Sequence, residues 1–222
     1  MIPLRDSQPS YSTPVVTLSL IVANIAVFFY QISLDQFSLN HLIFTYGIVP
    51  DRLQYGDLLT SMFMHGGWMH LIGNMWFLWI FGDNVEDVLG KWKYLLFYVL
   101  CGVAAGLVHA FLNPLSRVPT IGASGAIAGV MGAYLLKFPH SRIHTLIPIF
   151  IFFTTVDIPA FLILIYWFLI QAFSGVGQIG YSHLSRGGVA WFAHIGGFLA
   201  GMVLILLLRT KPRYHHRKDL HW

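Results

Sequence analysis

The chain has 222 residues, 56% of them hydrophobic and only 10% charged, with a formal net charge of +4. Soluble domains carry about a quarter charged residues, so this composition, with a mean hydropathy of +0.67, excludes a soluble globular domain and a disordered chain and leaves a polytopic membrane protein. The single cysteine, Cys101, lies inside an apolar run; it excludes an intrachain disulfide framework and reads as a small buried hydrophobe.

In chain order, apolar runs that approach the roughly 20 residues needed to cross a bilayer predict six helices. They fall at about 15–33, 68–88, 92–113, 124–138, 158–174 and 189–208. The fold class expected is an all-α integral-membrane bundle forming one domain over 1–222, with a short N-terminal segment (1–14) and a basic tail (209–222). The run 15–30 is longer than a signal-peptide core and has no small-x-small cleavage site after it, so it reads as a retained helix. Between the first two helices, 34–67 reads as a loop whose middle, "DLLTSMFMH", forms a short interfacial helix ended by Gly66 and Gly67. The segment 143–156 is apolar but broken by Pro148, and is expected to be irregular or interfacial. Asp157 and Pro159 then read as the N-cap and first-turn proline of the fifth helix. After that helix, "SGVGQIGYSHLSRGG" (174–188) is glycine-rich and polar, as a movable cover would be.

Ten of the thirteen Lys and Arg residues fall on the side of both termini, leaving Arg52, Arg117 and Arg186 opposite. This bias puts both termini in the cytoplasm, and the placement expected is a bacterial or archaeal plasma membrane. The tail "RTKPRYHHRKDLHW" then reads as an anchor at anionic headgroups rather than a nucleic-acid site.

Polar side chains within the hydrocarbon are costly and mark function by default. Here they are His70 and Asn74 in the second helix, Ser124 in the fourth and His194 in the sixth. Taken singly, each has a plainer reading as helix packing or interhelical glue. Depth argues for reading them together. The fourth helix spans roughly 22 Å, short of a core near 30 Å, so its outer end lies inside the membrane, with Ser124 on the order of 8–10 Å down. The same rise puts His194 about 7–8 Å and Asn74 about 9 Å down. A serine, a base and an amide donor at one level are the parts of acyl-transfer catalysis. Small residues at four-residue spacing, Gly197 and Gly201 in the sixth helix and Ser124, Ala128 and Gly132 in the fourth, allow these helices a close approach.

The stretches "HGGWMHLIGN" (65–74), "GASG" (122–125) and "AHIGGFLAG" (193–201), in this order on a six-helix chain, resemble the rhomboid family of intramembrane serine proteases. The resemblance implies that Ser124 is the nucleophile and His194 the general base of a dyad. It implies that Asn74, His70 and the Ser124 backbone N–H serve the oxyanion, with Gly122 among the binding residues, and that Glu86 is a structural anchor. It implies no cofactor, and as partners the bilayer and other membrane proteins; because a carbonyl in an intact helix is tied to its own ladder, the segments expected as substrates are those weakened by Gly or Pro. Asp157, at the far end of the fifth helix, cannot complete a triad, so His194 is expected to be oriented by packing. Where some members place an aromatic residue one turn after the serine, this chain has Ala128.

Two other readings remain. One is a non-catalytic protein of the same fold that binds or displaces membrane helices. The other is a metal site or transporter using His65, His70, His215 and His216. Against it, His65 and His70 are five apart with a Gly-Gly between, and no carboxylate or cysteine completes a set.

Overall fold

The computed structural model describes residues 2–149, 152–179 and 190–210. In chain order these form β1 (Ile2–Asp6), α1 (Val15–Ser33), α2 (Gln36–Tyr46), α3 (Asp57–Thr60), α4 (Trp68–Leu89), α5 (Lys91–Leu112), α6 (Ser124–Lys137), β2 (Arg142–Ile149), β3 (Phe152–Pro159), α7 (Ala160–Ile179) and α8 (Trp191–Leu207), with short 3-10 turns at Pro50–Arg52 and Ser61–Phe63. The six long helices start and stop close to the ends of the six apolar runs. Among the described residues, α1 and α5 are long and apolar enough to cross a membrane by length and composition; α7 over Ala160–Gly175 and α8 are shorter apolar helices.

α6 is the axis of the molecule. Every residue from Gly125 to Tyr134 is buried, as an all-round apolar helix requires, and α8, α5 and α4 pack around it. α1 covers α4 with a face of Thr17, Leu20, Asn24, Phe28 and Gln31, spaced three or four residues apart. α4 and α5 are separated by Gly90 alone, whose φ of +78° makes the turn in a region that disfavours side chains. At the end of α4, Glu86 accepts from the backbone N–H groups of Val16 (3.0 Å) and Thr17 (2.8 Å) and from the Thr17 hydroxyl (2.8 Å). It thereby caps the otherwise unsatisfied start of α1 from a different helix.

The fold is mostly helical but not all-α. β1, β2 and β3 form an antiparallel sheet in that order. The segment expected to be irregular is therefore two strands. Ile143 and Thr145 point inward as alternate residues, and the partner that stabilises β2 on its other side lies at the opposite end of the chain, Ile2 facing Leu146. Asp157 is not an N-cap. It sits in β3 opposite His144, and its carboxylate lies 2.7 Å from His144 Nδ1, while Pro159 ends the strand and α7 begins at Ala160. The loop 34–67 holds an additional helix, α2, which buries none of its residues fully; Leu39, Leu42 and Ile43 on one face are half-buried. Its start is set by Asp35, whose side chain accepts from the N–H groups of Phe37 and Ser38. The short helix expected at 57–65 appears as α3 and the turn Ser61–Phe63. Residues 174–179 of the expected cover belong to α7; the rest of it, and the tail from 211 onward, lie outside the described residues.

β1 ends in a half-buried acid. The Asp6 carboxylate accepts hydrogen bonds from the Tyr134 hydroxyl at the base of α6 and from Asn84 Nδ2 (3.1 Å). Burial pushes this carboxyl from its ordinary 3.8 up to about 7, opposed by the bond from Tyr134 and reinforced by the nearby Asp83. The docked strand therefore holds a proton that the undocked strand releases. Docking is strongest at low pH and weakens as pH rises from about 4 through about 7. Amide-exchange protection of residues 2–6, corrected for intrinsic rates, should be lower at pH 8 than at pH 5, and Asp6→Asn should remove the difference. Equal protection at both pH values in the unaltered chain would refute this.

Candidate active site

Ser124 is the first residue of α6, and the turn before it is pinned from three directions. Ile48 and Thr120 exchange backbone hydrogen bonds (3.0 and 2.8 Å), Gly122 N–H donates to Ser61 O (2.9 Å), and the Thr120 hydroxyl lies 2.9 Å from Nε2 of His109 on α5. Gly122 has φ +128°, a conformation that L side chains rarely adopt, and a β-carbon there would lie 2.7 Å from His70 Cε1 and 2.8 Å from His70 Nε2. Only glycine allows the backbone to pass this close to α4 and deliver Ser124 two residues later. The first helical bond of α6 runs from Ile127 N–H to Ala123 O, so the N–H groups of Ser124, Gly125 and Ala126 precede the ladder.

His194 lies in the first turn of α8, where its N–H donates to Ala190 O. Its Nε2 is 2.8 Å from Ser124 Oγ. Its Nδ1 is 2.7 Å from Oε1 of Gln171 on α7. The ring lies beside Trp167 (centroids 5.7 Å apart, tilted 34°) and edge-on to Trp191 (6.4 Å). The place that Ala128 leaves without an aromatic ring is thus taken from α7. Packing contributes to the orientation of His194, but a hydrogen bond does as well, which corrects the expectation of packing alone.

On α4, Asn74 and His70 stand one turn apart. Asn74 Nδ2 lies 2.9 Å from Nε2 of the buried His65. An amide nitrogen can only donate, so this imidazole nitrogen accepts and the His65 proton is on Nδ1. The backbone of His65 is gripped by the Gln31 side chain, which accepts from its N–H (2.9 Å) and donates to its carbonyl (3.2 Å). One Asn74 hydrogen is therefore committed to His65 and its orientation is fixed from α1. His70 Nδ1 accepts from Gly66 N–H (3.4 Å).

His70, Asn74, Gly122, Ser124 and His194 all line one cavity of about 710 Å³, together with Trp167, and among the described residues no Asp, Glu or Cys lines it. Among the described residues, no group of three or more His, Cys, Asp or Glu is disposed to hold a metal ion. His215 and His216, the tail histidines of the metal reading, lie outside the described residues. The small stripe that meets α8 is Gly125, Gly129 and Gly132, one residue along from Ser124 and Ala128. That offset turns the Ser124 side chain out of the backbone contact and toward His194. The residues missed from sequence are Gln171, Gln31 and His65 in its supporting place. Gln171 and Gln31 carried the same signal as Asn74, a polar side chain in an apolar helix.

The family model described as the Rhomboid domain matches residues 52–211. The chain is 31% identical to Rhomboid-like protein 11, chloroplastic, of Arabidopsis thaliana, over 74% of this chain and 56% of that protein. It is 30% identical to RHOMBOID-like protein 6, mitochondrial, of the same plant, over 70% of this chain and 44% of that protein. It is 34% identical to Rhomboid protein 1, mitochondrial, of Saccharomyces cerevisiae, over 39% of this chain and 26% of that protein. The chain thus spans about half the length of the two plant relatives.

Proposed function

The chain belongs to the rhomboid family of membrane-integral proteins, and from that premise we propose that it is an intramembrane serine endopeptidase whose six helices α1 and α4 to α8 cross the bilayer as one domain. The observation that carries this reading is the 2.8 Å contact between Ser124 Oγ and His194 Nε2, inside a cavity that Asn74, His70 and Gly122 also line. Ser124 Oγ attacks the scissile carbonyl carbon while its proton passes to His194 Nε2. The negative charge that develops on the carbonyl oxygen meets the free Asn74 hydrogen, His70 and the N–H groups at the start of α6, each worth about 3–4 kcal/mol where it is lost. His194 returns the proton to the leaving amine. Water, deprotonated by the same nitrogen, then releases the acyl group from Ser124.

The substrates proposed are transmembrane segments of other membrane proteins. A carbonyl in an intact helix is tied to its own ladder, so a Gly- or Pro-weakened segment is favoured, and a small residue at the scissile position suits the close packing around Ser124. Orientation rests on the Lys and Arg distribution, which supports cytoplasmic termini and, in this proposal, a bacterial or archaeal plasma membrane. The relatives named mitochondrial and chloroplastic support membrane integration rather than that compartment. The test is covalent labelling by a fluorophosphonate: the unaltered protein should be labelled on Ser124 and Ser124→Ala should not. A folded, unlabelled protein that still captures transmembrane helices would establish the non-catalytic reading instead.

A further inference from the structure

Gln171 interrupts an apolar stretch of α7, "AFLILIYWFLIQAF" (160–173), and is only 6% exposed. A buried amide in such a helix is costly unless it is hydrogen-bonded, and its Oε1 lies 2.7 Å from His194 Nδ1. We propose that Gln171 is a positioning residue for the reaction, holding His194 in the one tautomer and ring orientation in which Nε2 can take the Ser124 proton. This rests on the proteolytic reading above.

A carbonyl oxygen has no proton to give, so the nitrogen facing it must be N–H. Neutral imidazole carries one proton. With that proton on Nδ1, Nε2 presents a lone pair, and Nε2 is the atom 2.8 Å from Ser124 Oγ. The opposite tautomer would point N–H at the serine and could not act as a base. When Ser124 gives up its proton, His194 becomes a cation, and the Gln171 carbonyl dipole faces the positive ring without a second buried charge. The amide thus occupies the place that a carboxylate takes in serine-protease triads, with the tautomer-fixing part of its role and a weaker electrostatic part. Among the described residues, the other titratable groups around His194 are Ser124 on α6, His70 on α4 and His109 on α5, and the cavity lining holds no carboxylate that could substitute.

A purely structural Gln171, tying α7 to α8, would be needed for folding but not for proton transfer, and the following experiment separates the two. In full-length protein, Gln171→Leu should lower kcat and the rate of fluorophosphonate labelling of Ser124 by about 10–100-fold, with KM nearly unchanged. Gln171→Glu restores an acceptor that also stabilises the cation. It should recover labelling at alkaline pH and move the acidic limb of the pH–rate profile upward by about one unit or more. In the unaltered protein, nitrogen NMR of His194 should show Nδ1 protonated and Nε2 unprotonated, a measurement that survives even if a variant fails to fold. A proton found on Nε2 would overturn the proposal. So would wild-type labelling rates in folded Gln171→Leu, or equal losses in both variants that track their thermal stability with an unshifted pH profile. Those results leave Ser124 as nucleophile. Absence of labelling in the unaltered, folded protein would instead remove the proteolytic reading and this one with it.

Discussion

Ser124→Ala is expected to reduce cleavage of a model transmembrane substrate by about 10,000-fold or more, and His194→Ala by a comparable factor, with the double variant no slower than either single one. The non-additivity follows from the geometry. Oγ is a nucleophile only when a base 2.8 Å away can take its proton, and Nε2 is a base only when that hydroxyl is there, so removing either removes the whole step. The fold should tolerate the serine change well, because alanine at the first position of α6 keeps the helix start and has the better helix propensity. His194→Ala leaves Oε1 of Gln171 without its partner in a buried place and should cost about 1–3 kcal/mol of stability. Thermal unfolding in detergent beside cleavage separates the two effects: loss of activity without loss of folded protein is the expected pattern for Ser124→Ala. Robust residual cleavage by that variant would end the assignment.

The six long helices were legible from their apolar runs, although α4 carries Asp83, Asn84, Glu86 and Asp87 near its end and α7 continues to Ile179, past the apolar run. The elements that were not legible carry weak or masked local patterns. β2 and β3 pair with each other along their whole length, and Ile2–Asp6 adds to β2 from the far end of the chain; the alternation of Ile143 and Thr145 was masked by Pro148 and the aromatic residues that follow. α2 is short and buries none of its residues fully; the apolar period of Leu39, Leu42, Ile43 and Tyr46 is a weak signal beside the exposed Phe37 and Phe44, and Asp35 caps its start. At the site, the four polar residues singled out in the sequence line one cavity; each is a polar side chain in an otherwise apolar helix, a signal that spacing along the chain carries. Gln171 was missed for a different reason. It is a polar side chain in an apolar helix as Asn74 is, but it stands in no motif, and its amide is not the carboxylate that a triad would supply. Packing between Trp167 and His194 needed the relative placement of α7 and α8, which no spacing within either helix encodes.

The largest expected effect on stability lies one to two turns below the catalytic level, where α6 and α8 touch backbone to backbone. A β-carbon added to Gly201 would lie 2.0 Å from the Gly129 carbonyl oxygen and 2.5 Å from its carbonyl carbon, and one added to Gly197 would lie 1.9 Å from the Gly125 oxygen. Carbon–oxygen contacts of this type settle at roughly 3.3–3.6 Å, so even alanine demands a separation of more than about 1 Å. The obstacles are main-chain atoms of a helix buried on all sides, and they cannot swing away as a side chain would. Gly201→Ala is therefore expected to cost about 3 kcal/mol or more, at the upper end of overpacking effects, and Gly201→Val to prevent assembly of a stable bundle. Gly73→Ala supplies the contrast: nothing lies within 4 Å of a β-carbon at that position of α4, so the better helix former should leave stability unchanged or raise it by up to about 1 kcal/mol. The effect also propagates to chemistry, because Gly125 follows Ser124 and Gly197 sits three residues after His194. Pushing the helices apart lengthens the contact on which proton transfer depends. Folded Gly197→Ala should accordingly lose more activity per folded molecule than folded Gly201→Ala. Thermal unfolding of Gly201→Ala indistinguishable from that of Gly73→Ala would show that α6 and α8 are not in backbone contact.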